Sequence, residues 1–438
     1  MSNTSLGILL FAAMMALIVV RMPIGISMLL TGGIGYAMIA GVTPVMGLLA
    51  ELPYSRVANH ELTVIPLFVL MGQFAAEGGI SQALYRAARA WVGHHRGGIA
   101  MATIGGCAAF GSICGSSVAT GATMATVALP EMRRYGYSGA LSTGVLAAGG
   151  TLGILIPPSI ILVIYAILTE SSLAHLFLAA MIPGALATLG YAIAIFIYVR
   201  INPAAGPRAE RADLTERLRS LQTVWPVVTI FVVVIGGIYM GVFTPTEGAA
   251  VGAASTGLLA WFAGGMRWPG IRASILETAK ISGMIFLILI GAEMYSAFLA
   301  LSQLPQALAE WIGGLGWRPM TILVGIVILY LLLGCVMDSL AMILLTVPVF
   351  LPIMLKLDFG MPLDVVPVWF GIIVLSVVEV GMITPPIGIN VFVINSMAKD
   401  VPMTESFRGV VPFFLSDLVR IALVVSFPFL SLKLAGLM

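Results

Sequence analysis

Apolar segments long enough to cross a lipid bilayer recur from one end of the chain to the other, and only short polar stretches separate them. Of the 438 residues, 60% are hydrophobic and 9% are charged, whereas soluble domains carry about 25% charged residues. A helix needs roughly 20 apolar residues to span the hydrocarbon of a membrane. We therefore predict an all-α polytopic membrane protein without a large soluble domain.

Two apolar stretches, 97–131 and 318–356, carry Gly, Ser or Asp near their centres. Non-helical backbone at membrane depth is tolerated only where it is buried in protein or lines a cavity, so we predict two re-entrant hairpins there. Two other segments are too long for one straight helix and are predicted to be broken. The predicted spans lie near 5–20, 24–41, 63–78, 138–168 (broken), 172–199, 222–242, 247–265, 281–300, 365–398 (broken) and 407–434.

The placement of Lys and Arg orients these segments. With the N-terminus outside, most of the 21 Lys and Arg residues fall on the inner side, which is the bias that cytoplasmic loops show. Both termini are therefore predicted to lie outside. The first charge, Arg21, follows the apolar stretch 5–20, which favours a retained helix over a signal peptide.

The same interruption occurs once in each half of the chain. The sequences Gly-Ile-Leu-Ile-Pro-Pro-Ser (153–159) and Gly-Met-Ile-Thr-Pro-Pro-Ile-Gly (381–388) each fall inside a predicted span. Proline lacks a backbone N–H and clashes with the preceding turn, so a Pro-Pro pair breaks a helix. Matched interruptions in two halves are the pattern of a secondary transporter's binding site.

An alignment of the two halves extends the repeat to the hairpins. When Leu129-Pro130 is placed on Leu351-Pro352, Ser116 lies opposite Asp338. The predicted orientation opens the first hairpin to the cytoplasm and the second to the outside, so the repeats are inverted. The predicted organisation is N-terminal scaffold helices (1–62), a first inverted repeat (63–200, with hairpin 97–131 and broken helix 138–168), a cytoplasmic linker (201–221), central scaffold helices (222–280), and a second inverted repeat (281–438, with hairpin 318–356 and broken helix 365–398).

A broken helix exposes carbonyl groups at one half-helix end and N–H groups at the next half-helix start. The carbonyls, with hairpin hydroxyls and one carboxylate, suit a hard cation such as Na⁺, and the N–H groups suit a substrate carboxylate. The predicted cation-binding residues are Ser116, Ser117, Gly153, Asp338, Ser339, Gly381 and Thr384. The predicted substrate-binding residues are Pro157, Pro158, Ser159, Pro385, Pro386, Gly388 and Asn390.

Several polar residues have two readings. Asp338 is either a cation ligand or a structural hydrogen-bonding group, because an ionised Asp at membrane depth needs pairing or ligation. Asn390 contacts either substrate or a neighbouring helix. Glu247 is predicted to lie in the first turn of a helix capped by Thr244 or Thr246. Glu293 and Glu379 belong either to the site or to a helix interface. Asp417 and Arg420 either pair with each other or face a partner subunit.

The sequence resembles the large membrane subunit (DctM type) of tripartite ATP-independent periplasmic (TRAP) transporters, over essentially the whole chain. The most specific match is Gly-Met-Ile-Thr-Pro-Pro-Ile-Gly-Ile-Asn-Val-Phe-Val (381–393). Three further blocks strengthen it: Gly-Ile-Leu-Ile-Pro-Pro-Ser-Ile (153–160), Phe-Thr-Pro-Thr-Glu-Gly-Ala-Ala (243–250) and Ile-Pro-Leu-Phe-Val-Leu-Met-Gly (65–72).

This resemblance implies a Na⁺-coupled, elevator-type importer of a small organic acid in a bacterial inner membrane, with periplasmic termini. The implied substrate is a dicarboxylate, a sialic-acid-like sugar acid or a keto acid. The implied partners are a periplasmic substrate-binding protein and a small four-helix membrane subunit, which we expect to be a separate chain because the first apolar helix starts close to Met1. No nucleic-acid partner is expected.

Two other functions would make different demands on this sequence. A standalone Na⁺- or H⁺-coupled organic anion permease of related architecture would need no binding protein, and uptake by the chain alone would indicate it. A membrane-embedded enzyme would need converging acid, base or metal-binding residues, whereas His60, His94, His95 and His175 are scattered near span ends. The sequence therefore favours a transporter subunit.

Overall fold

The computed structural model describes residues 2–437, and all regular secondary structure in that range is helical. The first ten helices are α1 (Asn3–Val19), α2 (Ile24–Ala40), α3 (Val42–Val57), α4 (Val64–Glu77), α5 (Ile80–Val92), α6 (Gly98–Cys114), α7 (Ser117–Arg134), α8 (Gly139–Leu155), α9 (Ile160–Thr169) and α10 (Leu173–Ile201). The next ten are α11 (Leu214–Tyr239), α12 (Pro245–Phe262), α13 (Trp268–Ser302), α14 (Leu304–Gly314), α15 (Pro319–Gly334), α16 (Ser339–Lys356), α17 (Val366–Gly381), α18 (Ile389–Met397), α19 (Met403–Ser426) and α20 (Phe429–Leu432).

Many of these helices are apolar enough to lie in a membrane, which agrees with the predicted all-α polytopic class. Within the described residues, five helices have at least 18 residues and the required hydropathy, namely α10, α11, α13, α16 and α19. Five further apolar helices are shorter, namely α1, α2, α6, α15 and α17. The ten predicted spans therefore include several segments too short to cross a full bilayer upright.

Both Pro-Pro sequences interrupt helices. The first separates α8 from α9, and the two helix axes bend by 41° at this point. The second lies between Gly381, the last residue of α17, and Ile389, the first residue of α18. The peptide bonds Pro157–Pro158 and Pro385–Pro386 are both cis.

The helices pack in two groups. In the α13 group, which comprises α1, α2, α4, α12 and α13, α2 packs along α13 and α4 contacts both α12 and α13. A Cβ atom on Gly32 would lie 2.7 Å from the Cα atom of Tyr295, so glycine is required where α2 meets α13. In the α8 group, which comprises α6–α10 and α15–α19, α8 contacts α6, α7, α18 and α19, and α17 contacts α15 and α16.

Three segments differ from the sequence-based prediction. Helix α3 was not predicted, because it contains Pro53 and charged residues. Helix α11 begins at Leu214, inside the interval 201–221 that we expected to be a loop. Helix α13 begins at Trp268, well before the predicted span 281–300, because its first turns are polar but remain helical.

Candidate functional site

A cavity of about 240 Å³ lies where the two packing groups meet. The α6–α7 tip contributes Ser116 and Ser117, and the α15–α16 tip contributes Asp338 and Ser339. Residues next to both helix breaks also border the cavity, including Ile160 at the start of α9. Residues far apart in the sequence, from both halves of the chain, thus converge on one space.

The tip between α6 and α7 is only two residues long. Gly115 takes a left-handed conformation with a φ of +65°, and Ser116 is extended at the N-cap position of α7. A Cβ atom on Gly115 would lie 3.2 Å from the carbonyl oxygen of Pro158, so the tip packs closely against the first break. Ser117 is buried and its hydroxyl donates to the Met382 Sδ atom at 3.3 Å. The first tip therefore touches both breaks.

The tip between α15 and α16 places a carboxyl group at the equivalent position. Asp338 is extended at the N-cap position of α16, and Ser339 is the first residue of that helix. Within residues 2–437, the Asp338 side chain makes no capping hydrogen bond to α16. Asp338 is also the one carboxylate among the cavity-lining residues of the described chain. Carboxylate and hydroxyl oxygens are ligands that hard cations prefer, so this rim has the donor set for such an ion.

Two glycine contacts attach the tips to the helices that break. A Cβ atom on Gly111 would lie 2.6 Å from the Cα atom of Gly153, and one on Gly381 would lie 2.5 Å from the Cα atom of Gly334. Such distances are shorter than real Cβ contacts, so each site excludes a larger residue. Gly153 and Gly381 thus bring their helices against the tips but do not line the cavity.

The two breaks differ in their surroundings. In the first, Pro157 and Pro158 are buried, and the Ser159 hydroxyl accepts a hydrogen bond from the Leu162 N–H at 3.4 Å. Ser159 therefore caps α9 rather than facing the cavity. In the second, Pro385 and Pro386 are exposed.

One side-chain hydrogen bond and a left-handed glycine fix the backbone at the second break. The Thr384 hydroxyl donates to the Val380 carbonyl at 2.5 Å. Gly388, at the N-cap position of α18, has a left-handed φ of +56°. A Cβ atom there would lie 3.1 Å from the Phe407 ring, so glycine fits this position on both counts.

Asn390 joins helices. Its Nδ2 atom donates to the Ala147 carbonyl of α8 at 3.2 Å, and the Ser117 hydroxyl lies 3.5 Å from its Oδ1 atom. The side chain is 2% exposed. Of its two readings, the structure shows the contact between helices.

Four of the predicted site residues line the cavity together, namely Ser116, Ser117, Asp338 and Ser339. The other ten are not among its lining residues: Gly153, Pro157, Pro158, Ser159, Gly381, Thr384, Pro385, Pro386, Gly388 and Asn390. The opposite wall was missed. It comprises Val69, Gly72 and Gln73 of α4 and Ile281, Met284 and Ile285 of α13. The α4 residues fall in or beside the block 65–72, whereas the α13 residues look like any lipid-facing stretch.

A buried ionic network lies at the end of α17, three residues before Met382. The Arg420 Nη2 atom of α19 is 2.8 Å from Glu379 Oε2 of α17 and 3.0 Å from Asp417 Oδ1. The Tyr191 hydroxyl of α10 donates to Asp417 Oδ2 at 2.7 Å, and Thr151 of α8 lies 3.2 Å from that hydroxyl. The predicted pairing of Asp417 with Arg420 is confirmed, and Glu379 belongs to the same network rather than to the cavity.

Two other carboxylates have structural partners. Glu247 and Thr244 form a reciprocal capping box at the start of α12, which confirms the predicted helix start. Glu293 of α13 lies 2.6 Å from the Arg56 guanidinium of α3. Both residues therefore stabilise helices of the α13 side of the molecule.

The apolar helices and their packing define a polytopic membrane protein. The structure is similar to the YdaH transporter of Alcanivorax borkumensis, with a TM-score of 0.61 at 16% identity over 88% of each chain, a likeness that concerns the fold alone. Residues 11–430 match the family described as "Tripartite ATP-independent periplasmic transporter, DctM component". The chain belongs to this family.

Similar proteins are large permeases named for different substrates. The C4-dicarboxylate TRAP transporter large permease DctM of Pseudomonas aeruginosa is 37% identical over 86% of each chain. The sialic acid large permease SiaM of Vibrio cholerae is 30% identical over 97% of each chain. The isethionate permease DctMQ of Oleidesulfovibrio alaskensis is 30% identical over 98% of this chain but only 66% of its own length. These relatives are transporter permeases rather than enzymes, and they indicate a multi-pass inner-membrane protein.

Proposed function

We propose that this chain is the large transmembrane subunit of a Na⁺-coupled, binding-protein-dependent TRAP transporter that imports a small organic acid. The observation that carries the proposal is the single cavity where both tips meet beside both breaks. Convergence of two interrupted segments from corresponding halves is the arrangement that secondary transporters use for binding. The matched glycine contacts, Gly111 with Gly153 and Gly334 with Gly381, support an internal repeat.

Asp338 is the proposed principal Na⁺ ligand. Its carboxylate borders the cavity beside the hydroxyls of Ser116, Ser117 and Ser339. An uncompensated carboxylate is costly at membrane depth, and a bound cation removes that cost. Since Glu379 and Asp417 are already paired with Arg420, Asp338 is the carboxylate left to respond to the ion.

The substrate carboxylate is proposed to bind near the starts of α9 and α18. Ile160 and Ile389, the first residues of these helices, both line the cavity. The unpaired N–H groups and the positive end of the dipole at a helix start favour an anion. The organic acid is therefore expected to lie between the two helix starts, next to the Na⁺ ligands.

The two packing groups are proposed to act as the moving and static bodies of an elevator. The tips and breaks all belong to the α8 group, whereas the opposite cavity wall belongs to α4 and α13. The α13 wall consists of Ile281, Met284 and Ile285, whose apolar side chains have no hydrogen-bond donor for sliding to disrupt. Movement of the α8 group along this wall would carry the cavity across the membrane.

The proposed partners are a periplasmic substrate-binding protein and a separate small four-helix membrane subunit. The DctMQ relative extends well beyond the length that this chain matches, so its additional segment is a model for the small subunit. With the charge bias of the loops, both termini are proposed to be periplasmic.

Uptake in proteoliposomes tests this function. The chain would be reconstituted with the small subunit and binding protein of the same genome, and uptake of the binding protein's ligand would be measured with an inward Na⁺ gradient and with K⁺ in its place. We expect uptake only with Na⁺ and only with all three components. Uptake by the chain alone would instead indicate a standalone anion permease.

A pair of matched variants tests the ion ligand in the same assay. Asp338→Asn removes the carboxylate from the cavity, and Asp364→Asn makes the same change at an exposed residue between α16 and α17. We expect Asp338→Asn to raise the Na⁺ concentration for half-maximal uptake on the order of 100-fold and Asp364→Asn to leave it unchanged. Intact Na⁺ dependence in Asp338→Asn would refute the assignment.

A further inference from the structure

A second cavity, of about 490 Å³, lies at the ends of α6 and α10, away from the proposed transport site. Three arginines border it, namely Arg96 before α6, Arg200 at the end of α10, and Arg208 in the segment that follows. The ion pairs within residues 2–437 all use other basic side chains. The three guanidinium groups therefore leave a concentrated positive charge that no carboxylate neutralises by direct contact.

The backbone holds this basic rim in place. The Gly97 N–H donates to the Gly206 carbonyl at 2.9 Å, and the Ala209 N–H donates to the Gly93 carbonyl at 3.1 Å. Gly97 has a left-handed φ of +70°, and a Cβ atom on it would lie 3.0 Å from Val199. The segment after α10 is thus fastened to the turn between α5 and α6, so the arginines from three segments face one space.

The floor of the cavity is apolar. Met101 of α6 and Phe196 of α10 border it, and the Arg200 guanidinium carbon lies 4.6 Å from the centre of the Phe196 ring. Phe196 is 46% exposed, and Ile193 and Ile197 of the same helix are 48% and 51% exposed. The outward surface of α10 thus continues from the basic rim as an apolar surface facing the bilayer.

We propose that this cavity binds an anionic phospholipid. The headgroup phosphate contacts Arg96, Arg200 and Arg208, and the acyl chains lie along Met101 and Phe196. Guanidinium groups match phosphate oxygens in a bidentate geometry, and basic pockets between membrane helices bind acidic lipid headgroups. A free anion would use the rim but not the exposed apolar surface below it, so the combination favours a lipid.

Native mass spectrometry of the full chain in detergent tests the proposal. Dioleoylphosphatidylglycerol and dioleoylphosphatidylcholine would be added as an equal mixture, and the bound species counted. We expect preferential binding of phosphatidylglycerol. The variant Arg96→Gln/Arg200→Gln/Arg208→Gln should lower phosphatidylglycerol affinity roughly 100-fold, because each basic side chain near an anionic headgroup contributes about fivefold.

A matched control changes the same net charge elsewhere. Arg211, Arg267 and Arg272 are exposed arginines outside this cavity, and their triple change to Gln should leave the preference intact. Equal loss in both triple variants would show a general charge effect and overturn the site. Unchanged binding in the cavity variant would also overturn it.

Two further measurements separate the alternatives. If the cavity triple variant does not fold, the single variant Arg200→Gln carries the test, with an expected loss of about fivefold that Arg200→Lys partly restores. Phe196→Ala should weaken lipid binding without changing the charge. Displacement of phosphatidylglycerol by excess inorganic phosphate, with no effect of Phe196→Ala, would identify a free-anion site and reject the lipid.

Discussion

Each half of the chain contains a short tip between two helices and a helix interrupted by a Pro-Pro pair, but the surroundings of these features differ. Each has a tip at which a serine begins a helix, Ser117 or Ser339, and each tip rests on a glycine of the helix that breaks. The first tip carries a hydroxyl at the N-cap position, whereas the second carries the carboxylate of Asp338. The Pro-Pro pair of the first break is buried, and that of the second is exposed.

The residues that the two halves share and the residues that differ affect different properties of the cavity. The residues that the halves share are backbone contacts and helix starts, which set the shape of the cavity. The residues that differ set its charge and access. The first half therefore provides a closed, neutral side of the site, and the second half provides a charged side with an exposed break.

The largest effect is expected from Arg420, which ties the second broken helix to α19. Arg420→Met would leave the carboxylates of Glu379 and Asp417 buried without a cation, and should cost about 3–5 kcal/mol of stability. Thermal unfolding of the purified chain in detergent would measure the loss. The neutral variant Glu379→Gln/Asp417→Asn/Arg420→Met should recover much of it. If that variant were as unstable as Arg420→Met, charge would not be the cause.

The next prediction concerns variants that move the carboxylate from the second tip to the first. Asp338→Ser should raise the Na⁺ concentration for half-maximal uptake on the order of 100-fold, since loss of even a supporting group at an ion site costs 10–100-fold. Adding Ser116→Asp should restore part of the affinity, because both residues are N-cap residues bordering one cavity. Uptake assays at graded Na⁺ would show this. Failure of the second change to restore any affinity would mean that the tips are not interchangeable.

Alanine in place of a glycine at the shared contacts should destabilise the protein equally in both halves. Gly381→Ala places a Cβ atom 2.5 Å from the Gly334 Cα atom, and the overpacking should cost about 2 kcal/mol. Gly111→Ala places a Cβ atom 2.6 Å from the Gly153 Cα atom and should cost a similar amount. The control is Gly325→Ala on α15, where a Cβ atom meets no described atom within 4 Å. Melting temperatures of the three variants would test this, and an effect confined to one half would reject the equivalence.

The smallest effect concerns the cap of the first break. Ser159→Ala removes the hydroxyl that accepts from the Leu162 N–H, and should lower stability by about 1 kcal/mol. Ser159→Gly should lower stability by only a few tenths of a kcal/mol, since glycine is tolerated at N-caps. Neither variant should alter the Na⁺ dependence of uptake. A shift in that dependence would contradict a role confined to capping α9.

The sequence predicted interruptions of the helices at both Pro-Pro pairs, at Ser116 and at Asp338, and helices end at all four places, because proline, glycine and hydroxyl residues have strong local effects on backbone geometry. Ser116, Ser117, Asp338 and Ser339 were found through the alignment of the halves, and they converge. Which side of a break faces the cavity could not be predicted, since that depends on neighbouring helices: Ser159 turns to its own helix and Asn390 to α8.

The missed elements have a similar explanation. The α13 wall consists of ordinary aliphatic residues, and only their position opposite the tips distinguishes them from lipid-facing side chains. Helix α3 is interrupted in sequence by Pro53 and charged residues, yet packing against α2 and α13 keeps it helical. Local sequence signals report turns and caps, whereas these features depend on tertiary contacts.

The length of α13 bears on how deep in the membrane the proposed transport site lies. Its 35 residues extend about 52 Å, well beyond the roughly 30 Å of bilayer hydrocarbon. We infer that the exposed Glu277–Lys280 pair lies outside the lipid, because charged groups are costly in hydrocarbon, and Ile281 and Ile285 of the cavity wall follow within the next two turns. On this placement the cavity lies nearer to that water boundary than to the opposite one. In the proposed orientation that boundary is cytoplasmic, so a bound solute would have a short path to the cytoplasm and nearly the full bilayer between itself and the binding protein.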